Sequence, residues 1–164
     1  MLEPSMRVLA IDPGFDRCGV AVREYVSGKG VLLYSTCITT DKTAALPHRL
    51  ATIGAALETI IAEYKPTTLG IETLFFNKNI TTGIGVAQAR GVVLYIAEHH
   101  GLTIYEHGPQ EVKVAVTGYG NSDKTAVYAM VQRLVPNIPK KAKDDEYDAI
   151  AVGITTLAQH GRSR

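Results

Sequence analysis

Apolar positions fall into short runs before about residue 40 and into longer, helically spaced runs after it. The short runs RVLAID, CGVAVREY and GVLLYSTCIT predict three strands. The second and third runs are separated by VSGKG, whose serine and two glycines favour a hairpin. We therefore expect the first three strands to pair antiparallel.

The rest of the chain alternates helical and strand patterns. PHRLATIGAALETIIAEYKP has apolar residues at helical spacing, and Pro66 marks the end of that helix. Strand patterns follow at TTLGIETLFF and LTIYEHG. Helical patterns follow at TTGIGVAQARGVVLYIAEHHG, PQEVKVAVTG, SDKTAVYAMVQRLVP and KDDEYDAIAVGITTLAQH. Pro109 suits the first position of its helix, and Ser122 is the expected N-cap of the next.

This order of elements predicts an α/β fold with one mixed five-stranded sheet flanked by helices. Three antiparallel strands come first, and helical crossovers then add parallel strands. The order is that of an RNase H-like fold. A length of 164 residues fits one domain, taken as residues 1–164.

The helical segment at residues 80–100 is apolar on nearly every side, which is typical of a helix buried on two sides. In a domain this small, we expect the second side to contact another subunit. Small residues would let that subunit approach closely, and they are Gly83, Gly85, Ala87, Ala89 and Gly91. A central core helix within one chain is the alternative.

Composition predicts a cytoplasmic protein without a membrane segment. Hydrophobic residues make up 46% and charged residues 20%, and no apolar run reaches the ~18 residues of a membrane helix. The first residues, MLEPSM, lack the basic and apolar regions of a signal peptide. The two cysteines, Cys18 and Cys37, are expected to be reduced thiols.

The net charge of +1 does not by itself indicate a nucleic-acid partner, but the charge is unevenly distributed. Basic residues outnumber acidic ones between His107 and Lys143, and a local basic patch favours an anionic ligand. An ordinary solvated face is the alternative. The basic residues of this stretch are Lys113, Lys124, Arg133, Lys140, Lys141 and Lys143.

Acidic residues occupy positions where apolar strands would normally exclude them. Asp12 ends the first strand, and Glu72 is the one charge within TLGIETLFF, a strand expected to lie beside the first. Asp145 and Asp148 are three residues apart on the last helix and share a face. Each has an ordinary alternative: a turn at Asp12, an edge-strand Glu72 and acids that favour a helix N-terminus.

Together the four carboxylates predict a metal site for phosphodiester hydrolysis. Four converging carboxylates repel one another unless cations are present, and hard oxygen ligands select Mg²⁺ or Mn²⁺. Two such ions contact the attacking and the leaving oxygens of a phosphodiester and activate water as the nucleophile. We assign a catalytic role to none of the five histidines.

Five segments, in this order and at this spacing, resemble the RuvC family of bacterial Holliday junction resolvases. They are RVLAIDPGFDRCGVAV, IETLFFNKN, GVAQARGVV, KVAVTGYGNSDK and DDEYDAIAVGITT. The resemblance implies an RNase H-like, homodimeric endonuclease that nicks two opposed strands of a four-way DNA junction, in recombination and repair. It also implies Mg²⁺ or Mn²⁺, up to two ions per site, and a branch-migration helicase as a partner.

The resemblance also implies roles for individual residues. It points to Asp12, Glu72, Asp145 and Asp148 as catalytic metal ligands. It places Lys113 and Lys124 near the scissile phosphate and Phe75 on unpaired bases, with Phe76 left to the core. Lys78 and Arg90 are further candidates for DNA contacts. No base-reading set is evident in the sequence.

Three other functions remain open at this point. An RNase H-like nuclease that processes RNA would keep an early and a late aspartate. A phosphate-binding domain of the actin and sugar-kinase type also begins with a strand and an Asp-x-Gly turn, but it requires a second such domain. A non-catalytic junction-binding protein would lack one of the four carboxylates, and none is lacking here.

Overall fold

A five-stranded mixed sheet with helices on both faces organises residues 5–74 and 80–161, which are the residues that the computed structural model describes. In chain order the elements are β1 (Arg7–Asp12), β2 (Arg17–Val26), β3 (Lys29–Thr39), α1 (Leu46–Tyr64), β4 (Thr68–Glu72), α2 (Ile80–His99), β5 (Thr103–His107), α3 (Pro109–Thr117), α4 (Lys124–Leu134) and α5 (Asp144–His160).

The strand order is β3-β2-β1-β4-β5, which places β1 in the centre. β1, β2 and β3 pair antiparallel, whereas β4 and β5 continue from β1 in parallel. This arrangement confirms the predicted α/β fold and its mixed sheet. The parallel pairing brings the last residues of β1 and β4 to one edge of the sheet, as expected for Asp12 and Glu72.

The β2–β3 hairpin turns through Ser27 and Gly28. Both residues have positive φ angles, 49° and 81°. A two-residue turn of this kind matches the twist of the paired strands, and glycine accepts its left-handed conformation without strain. The VSGKG spacer therefore forms the predicted hairpin.

The sheet separates two hydrophobic cores. Leu9 and Ile11 of β1 face α1 and α2, and the alternate residues Val8 and Ala10 face α4 and α5. Both faces of β1 are thus covered, which explains why its sequence is continuously apolar up to Asp12.

The helix starts agree with the sequence pattern at α3 and differ by one residue at α4. Gly108 is the N-cap of α3, with Pro109 following it. At α4 the N-cap is Asp123 and not Ser122, because the Asp123 carboxylate accepts a hydrogen bond from the Ala126 amide at 2.8 Å. The Ser122 hydroxyl instead donates to the backbone oxygen of Tyr119.

Helix α2 buries one face in this chain and exposes apolar residues on the other. Ala89, Val93 and Ile96 pack into the core, whereas Ile84 and Tyr95 are exposed. Of the helices within residues 5–74 and 80–161, α2 has the length and apolar composition of a membrane span. Core helices of water-soluble proteins share both properties.

Candidate active site

One cleft at the edge of the sheet collects all four predicted carboxylates. The cleft has a volume of about 470 Å³ and lies between the ends of β1 and β4 and the helices α3, α4 and α5. Its lining is Asp12, Glu72, Pro109, Val112, Lys113, Lys124, Val127, Asp145, Asp148 and Ala151. The structure therefore brings together four acidic and two basic candidates from five separate elements.

Asp12 is the carboxylate whose charge is least favourable in this cleft. It ends β1 opposite Gly19 of β2 and is half-buried. Burial is the largest cause that raises the pKa of Asp12, and together with the nearby charges of Asp148, Glu72 and Asp145 it brings that pKa to about 8. At neutral pH Asp12 therefore keeps its proton unless a cation binds nearby, because burial and the neighbouring carboxylates disfavour its charge.

Glu72 and Asp148 share this environment. Burial raises the pKa of Glu72, and the charge of Asp148 adds to the shift. Burial also raises the pKa of Asp148, while Lys124 and Tyr128 act in the opposite direction. Both carboxylates are consequently weaker acids than free side chains, as expected where like charges converge.

Asp145 reaches the cleft because α5 begins in direct contact with the sheet. A Cβ atom added to Gly19 would lie only 1.9 Å from the backbone oxygen of Asp145, so this approach requires glycine on β2. The Asp145 carboxylate forms an ion pair with Arg17 at 2.9 Å and lies 3.8 Å from the Cys37 sulfur. Arg17 therefore orients Asp145 from the rim of the cleft.

Two groups of α4, one turn apart, contact Asp148. The Lys124 ammonium lies 3.3 Å from one carboxylate oxygen, and the Tyr128 hydroxyl donates to the other at 3.1 Å. Although burial disfavours its charge, contact with Asp148 raises the pKa of Lys124. Burial and the charge of Asp148 raise the pKa of Tyr128 to about 12, so its hydroxyl stays a donor.

The remaining candidates lie elsewhere. Arg90 pairs with Glu106 at 2.6 Å and also contacts the backbone oxygen of Glu72 at 3.4 Å, with its side chain 16% exposed. These contacts favour support of the β4 end, and a DNA contact of Arg90 stays a prediction. Phe75, Phe76 and Lys78 lie outside the described residues.

Sequence reasoning missed Arg17 and Tyr128. Tyr128 follows Lys124 by four residues, so both side chains lie on one face of α4. A carboxylate that contacts Lys124 could therefore have been expected to contact Tyr128 as well. Arg17 carried no such signal, because nothing in a strand sequence shows which helix end will cover it. Glu146 has a structural role, because it caps α5 by accepting a hydrogen bond from the Lys143 amide at 2.8 Å.

The donor set suits Mg²⁺ or Mn²⁺, although the carboxylates are not yet arranged around an ion. Within residues 5–74 and 80–161, no three acidic, histidine or cysteine side chains are grouped as a metal centre. Arg17 and Lys124 hold two of the carboxylates in this arrangement. Burial and the neighbouring carboxylates both disfavour the charge of Asp12, and a hard cation, the kind that such oxygen ligands select, would offset both.

Comparison with known sequences gives one consistent result. The family model described as "Crossover junction endodeoxyribonuclease RuvC" matches residues 8–156. A protein of that name from Clavibacter michiganensis subsp. michiganensis is 39% identical over 160 residues, covering 97% of this chain and 79% of the relative. Another, from Alkaliphilus oremlandii, is 43% identical over 150 residues and 91% of each chain.

Solved structures give the same result. The structure of T. thermophilus RuvC in complex with a Holliday junction substrate superposes with a TM-score of 0.85 at 27% identity, covering 93% of each chain. The yeast mitochondrial Holliday junction resolvase Ydc2 reaches a TM-score of 0.66 at 16% identity, a likeness of fold alone.

Proposed function

Because this chain belongs to the RuvC family of crossover junction endodeoxyribonucleases, we propose that it resolves four-way DNA junctions, in recombination and repair, by cutting strands in the carboxylate cleft. One observation carries the proposal: β1, β4 and α5 deliver four carboxylates to a cleft that also contains Lys113 and Lys124. Acidic groups for cations and lysines for phosphates are the two parts that phosphodiester hydrolysis needs.

The four carboxylates would hold Mg²⁺, or Mn²⁺ in its place, with up to two ions per cleft. When bound, such ions neutralise charge on the phosphodiester and activate water. Arg17 and Tyr128 keep Asp145 and Asp148 aimed into the cleft. The carboxylates thus already line one cleft, and metal binding would bring them into their final arrangement around the ion.

The two lysines bring the DNA backbone to these carboxylates. Lys113 and Lys124 line the cleft on opposite helices, and the Lys124 side chain is 70% exposed, so DNA can reach it. Each ammonium attracts a phosphate and releases counterions, which makes binding dependent on salt. Cleavage of the junction should accordingly weaken as salt rises.

Two opposed nicks require two clefts, which a homodimer supplies. An apolar groove of about 590 Å³ between α1 and α2 includes Leu50, Val92, Tyr95 and Ile96. The exposed apolar residues Ile84 and Tyr95 lie on the same helix and favour burial against a second copy. A branch-migration helicase and a cytoplasmic location, where such a junction would form, are further parts of the proposal.

The test is cleavage of a labelled synthetic four-way junction with a mobile core, in Mg²⁺ and in EDTA, beside Asp12→Asn. We expect paired nicks that need the metal, and loss of at least about 10³-fold in rate for Asp12→Asn because several kcal/mol of charge stabilisation is removed. Junction binding in EDTA should persist in the variant.

Competing substrates decide between the remaining functions. Linear duplex DNA and single-stranded RNA of equal length serve as competitors in the same reaction. Preferential cutting of RNA would replace junction resolution by RNA processing. Metal-dependent cutting that Asp12→Asn leaves unchanged would remove the cleft from the reaction.

A further inference from the structure

Arg23 of β2 is a charged side chain that is almost completely buried. Only 3% of the residue is exposed. Among residues 5–74 and 80–161, no group accepts a hydrogen bond from its Nε or Nη1 atoms. Burial lowers the pKa of Arg23 to about 10, so the guanidinium still carries its charge at neutral pH.

Two glycines make room for this side chain. A Cβ atom added to Gly153 of α5 would lie 2.8 Å from the Cδ atom of Arg23. A Cβ atom added to Gly30 of β3 would lie 2.9 Å from its Nη2 atom. The seat of the arginine thus depends on small residues in two elements, although an unpaired buried charge destabilises the fold.

The guanidinium borders a groove with mostly apolar walls. Arg23 lines a cavity of about 360 Å³ together with Tyr25, Gly28, Gly30, Leu134, Ile154, Leu157 and Ala158. A second cavity of about 320 Å³ shares Gly30 and Leu134 and continues along β3 past Lys29 and Val31. We call these two cavities together the Arg23 groove. Val31 and Leu134, which line it, expose apolar side chains.

The Arg23 groove lies away from the carboxylate cleft. Arg23 pairs with Val8 near the start of β1, whereas Asp12 ends that strand four residues later, roughly 13 Å along it. Leu157 of the groove lies twelve residues after Asp145 on α5, about 18 Å along the helix. DNA held at the cleft therefore leaves the groove accessible to another molecule.

We infer that the Arg23 groove binds a segment of a protein partner in which an acidic side chain is flanked by apolar ones. The Nη2 end of the guanidinium lies beside Gly30 of the groove and can donate to a carboxylate there, whereas Nε and Nη1 are buried more deeply; Lys29 adds positive charge nearby. Neighbouring apolar side chains pack on Leu134, Ile154 and Leu157. A nucleic-acid backbone fits poorly, because one buried cation between apolar walls cannot follow successive phosphates.

The first test is an NMR titration of the intact protein that follows the Nε–H resonance of Arg23. The probes are the capped peptides acetyl-Leu-Glu-Leu-Leu-amide and acetyl-Leu-Gln-Leu-Leu-amide, with hexanoate as a free organic acid. We expect the glutamate peptide to shift this resonance and to bind at least about tenfold more tightly than the glutamine peptide, because only the carboxylate pairs with the charge.

Two variants locate the binding. Arg23→Met retains the length of the side chain without its charge, and Leu134→Glu places a carboxylate at the exposed mouth without disturbing the core. Each should weaken binding of the glutamate peptide by about tenfold or more, while junction cleavage stays unchanged. Leu134→Glu decides the matter if Arg23→Met does not fold.

Several results would overturn the inference. Equal binding of the two peptides, or unchanged binding by either folded variant, would show that the Arg23 charge is not the receptor. Binding of hexanoate without binding of the glutamate peptide would assign the groove to a small organic acid. Binding of none of the probes would leave Arg23 as a structural residue.

Discussion

Buried groups of opposite charge lie against the two ends of α5, and the protein itself offsets neither charge fully. At its N-terminal end, Asp145 and Asp148 join Asp12 and Glu72 in a cleft that disfavours a fourth negative charge. Toward its C-terminal end, the same helix covers Arg23, a cation without an acceptor among the described residues. Buried charge is normally paired or absent, so each imbalance indicates a ligand of the opposite sign.

The ends differ in how far the protein offsets the imbalance. Arg17 and Lys124 each contact one carboxylate of the cleft, and both are substantially exposed, so they can move aside for a ligand. Among the described residues no side chain offsets the charge of Arg23 in this way, and Arg23 is almost completely buried. The cleft thus suits ligands that displace the Arg17 and Lys124 side chains, whereas the Arg23 groove suits one carboxylate that arrives with its own apolar surroundings.

Glu72→Gln should give the largest effect, because it removes one charge from the carboxylate cleft without changing the shape of the side chain. We expect junction cleavage to fall at least about 10³-fold, with folding intact, since several kcal/mol of charge stabilisation depends on such ligands. Glu63→Gln, on the exposed face of α1, is the matched control and should cleave normally. Equal losses in both variants would separate the carboxylate cleft from the chemistry.

Asp12→Asn should stabilise the metal-free protein at high pH. The pKa of Asp12 is about 8 in the folded state and near 4 in the unfolded chain. The folded state therefore binds the extra proton between these values, and stability falls as pH rises from 4 to 8. Below pH 4 the group is protonated in both states and the difference disappears.

Urea unfolding in EDTA at pH 5 and pH 8 measures this effect. The parent protein should lose a few kcal/mol between the two pH values, and Asp12→Asn should lose less. Some loss will remain in the variant, because burial raises the pKa of Glu72 and Asp148 as well. A parent protein that is equally stable at both pH values would mean that the pKa values of the cleft carboxylates are not raised by folding.

Arg23→Met should also stabilise the protein, by about 1–3 kcal/mol, because it removes an unpaired buried charge. Since Arg23 stays charged well above pH 8, its gain should be the same at pH 5 and pH 8. Arg7→Met is the matched control: Arg7 pairs with Glu24 at 3.1 Å and donates to the Tyr64 backbone oxygen, so this change should destabilise. Loss of stability in Arg23→Met would show that the charge of Arg23 stabilises the fold, unlike the charges of the cleft carboxylates.

The carboxylate cleft could be predicted from the sequence, whereas the Arg23 groove could not. Asp12 and Glu72 interrupt apolar strands, and strand order alone makes them neighbours, so the sequence pattern carried the information. Arg23 stands near the end of CGVAVREY, where a charge is normally solvated. It is buried because α5 crosses that part of the sheet at Gly153, and no local pattern contains that contact.

The same limit explains the other differences. Hydrophobic period and turn residues set the strands, the hairpin and the helices, because these depend on neighbouring residues. The choice of Asp123 over Ser122 as N-cap is a one-residue shift between two residues of equal capping ability. The ion pair of Arg17 with Asp145 joins residues far apart in sequence, and only the folded sheet brings them together.

Tyr128→Phe should give the smallest effect, a change in the Mg²⁺ concentration that the carboxylate cleft needs for cleavage. The lost hydroxyl donates to Asp148 at 3.1 Å and holds down the pKa of that carboxylate. Without it Asp148 binds a proton more readily, so the half-saturating Mg²⁺ concentration for junction cleavage should rise about fivefold at pH 7, equivalent to about 1 kcal/mol. At pH 9 the variant and the parent should converge, because proton competition fades.

Tyr147→Phe is the control for this last comparison. The two tyrosine rings pack at 5.1 Å, but the Tyr147 hydroxyl accepts a hydrogen bond from Gln132 and not from any group at the cleft. Its Mg²⁺ dependence should match that of the parent at both pH values. If both tyrosine variants shift alike, the hydrogen bond to Asp148 is not the cause of the shift. A shift confined to Tyr128→Phe shows that a single neutral donor adjusts the charge of the cleft.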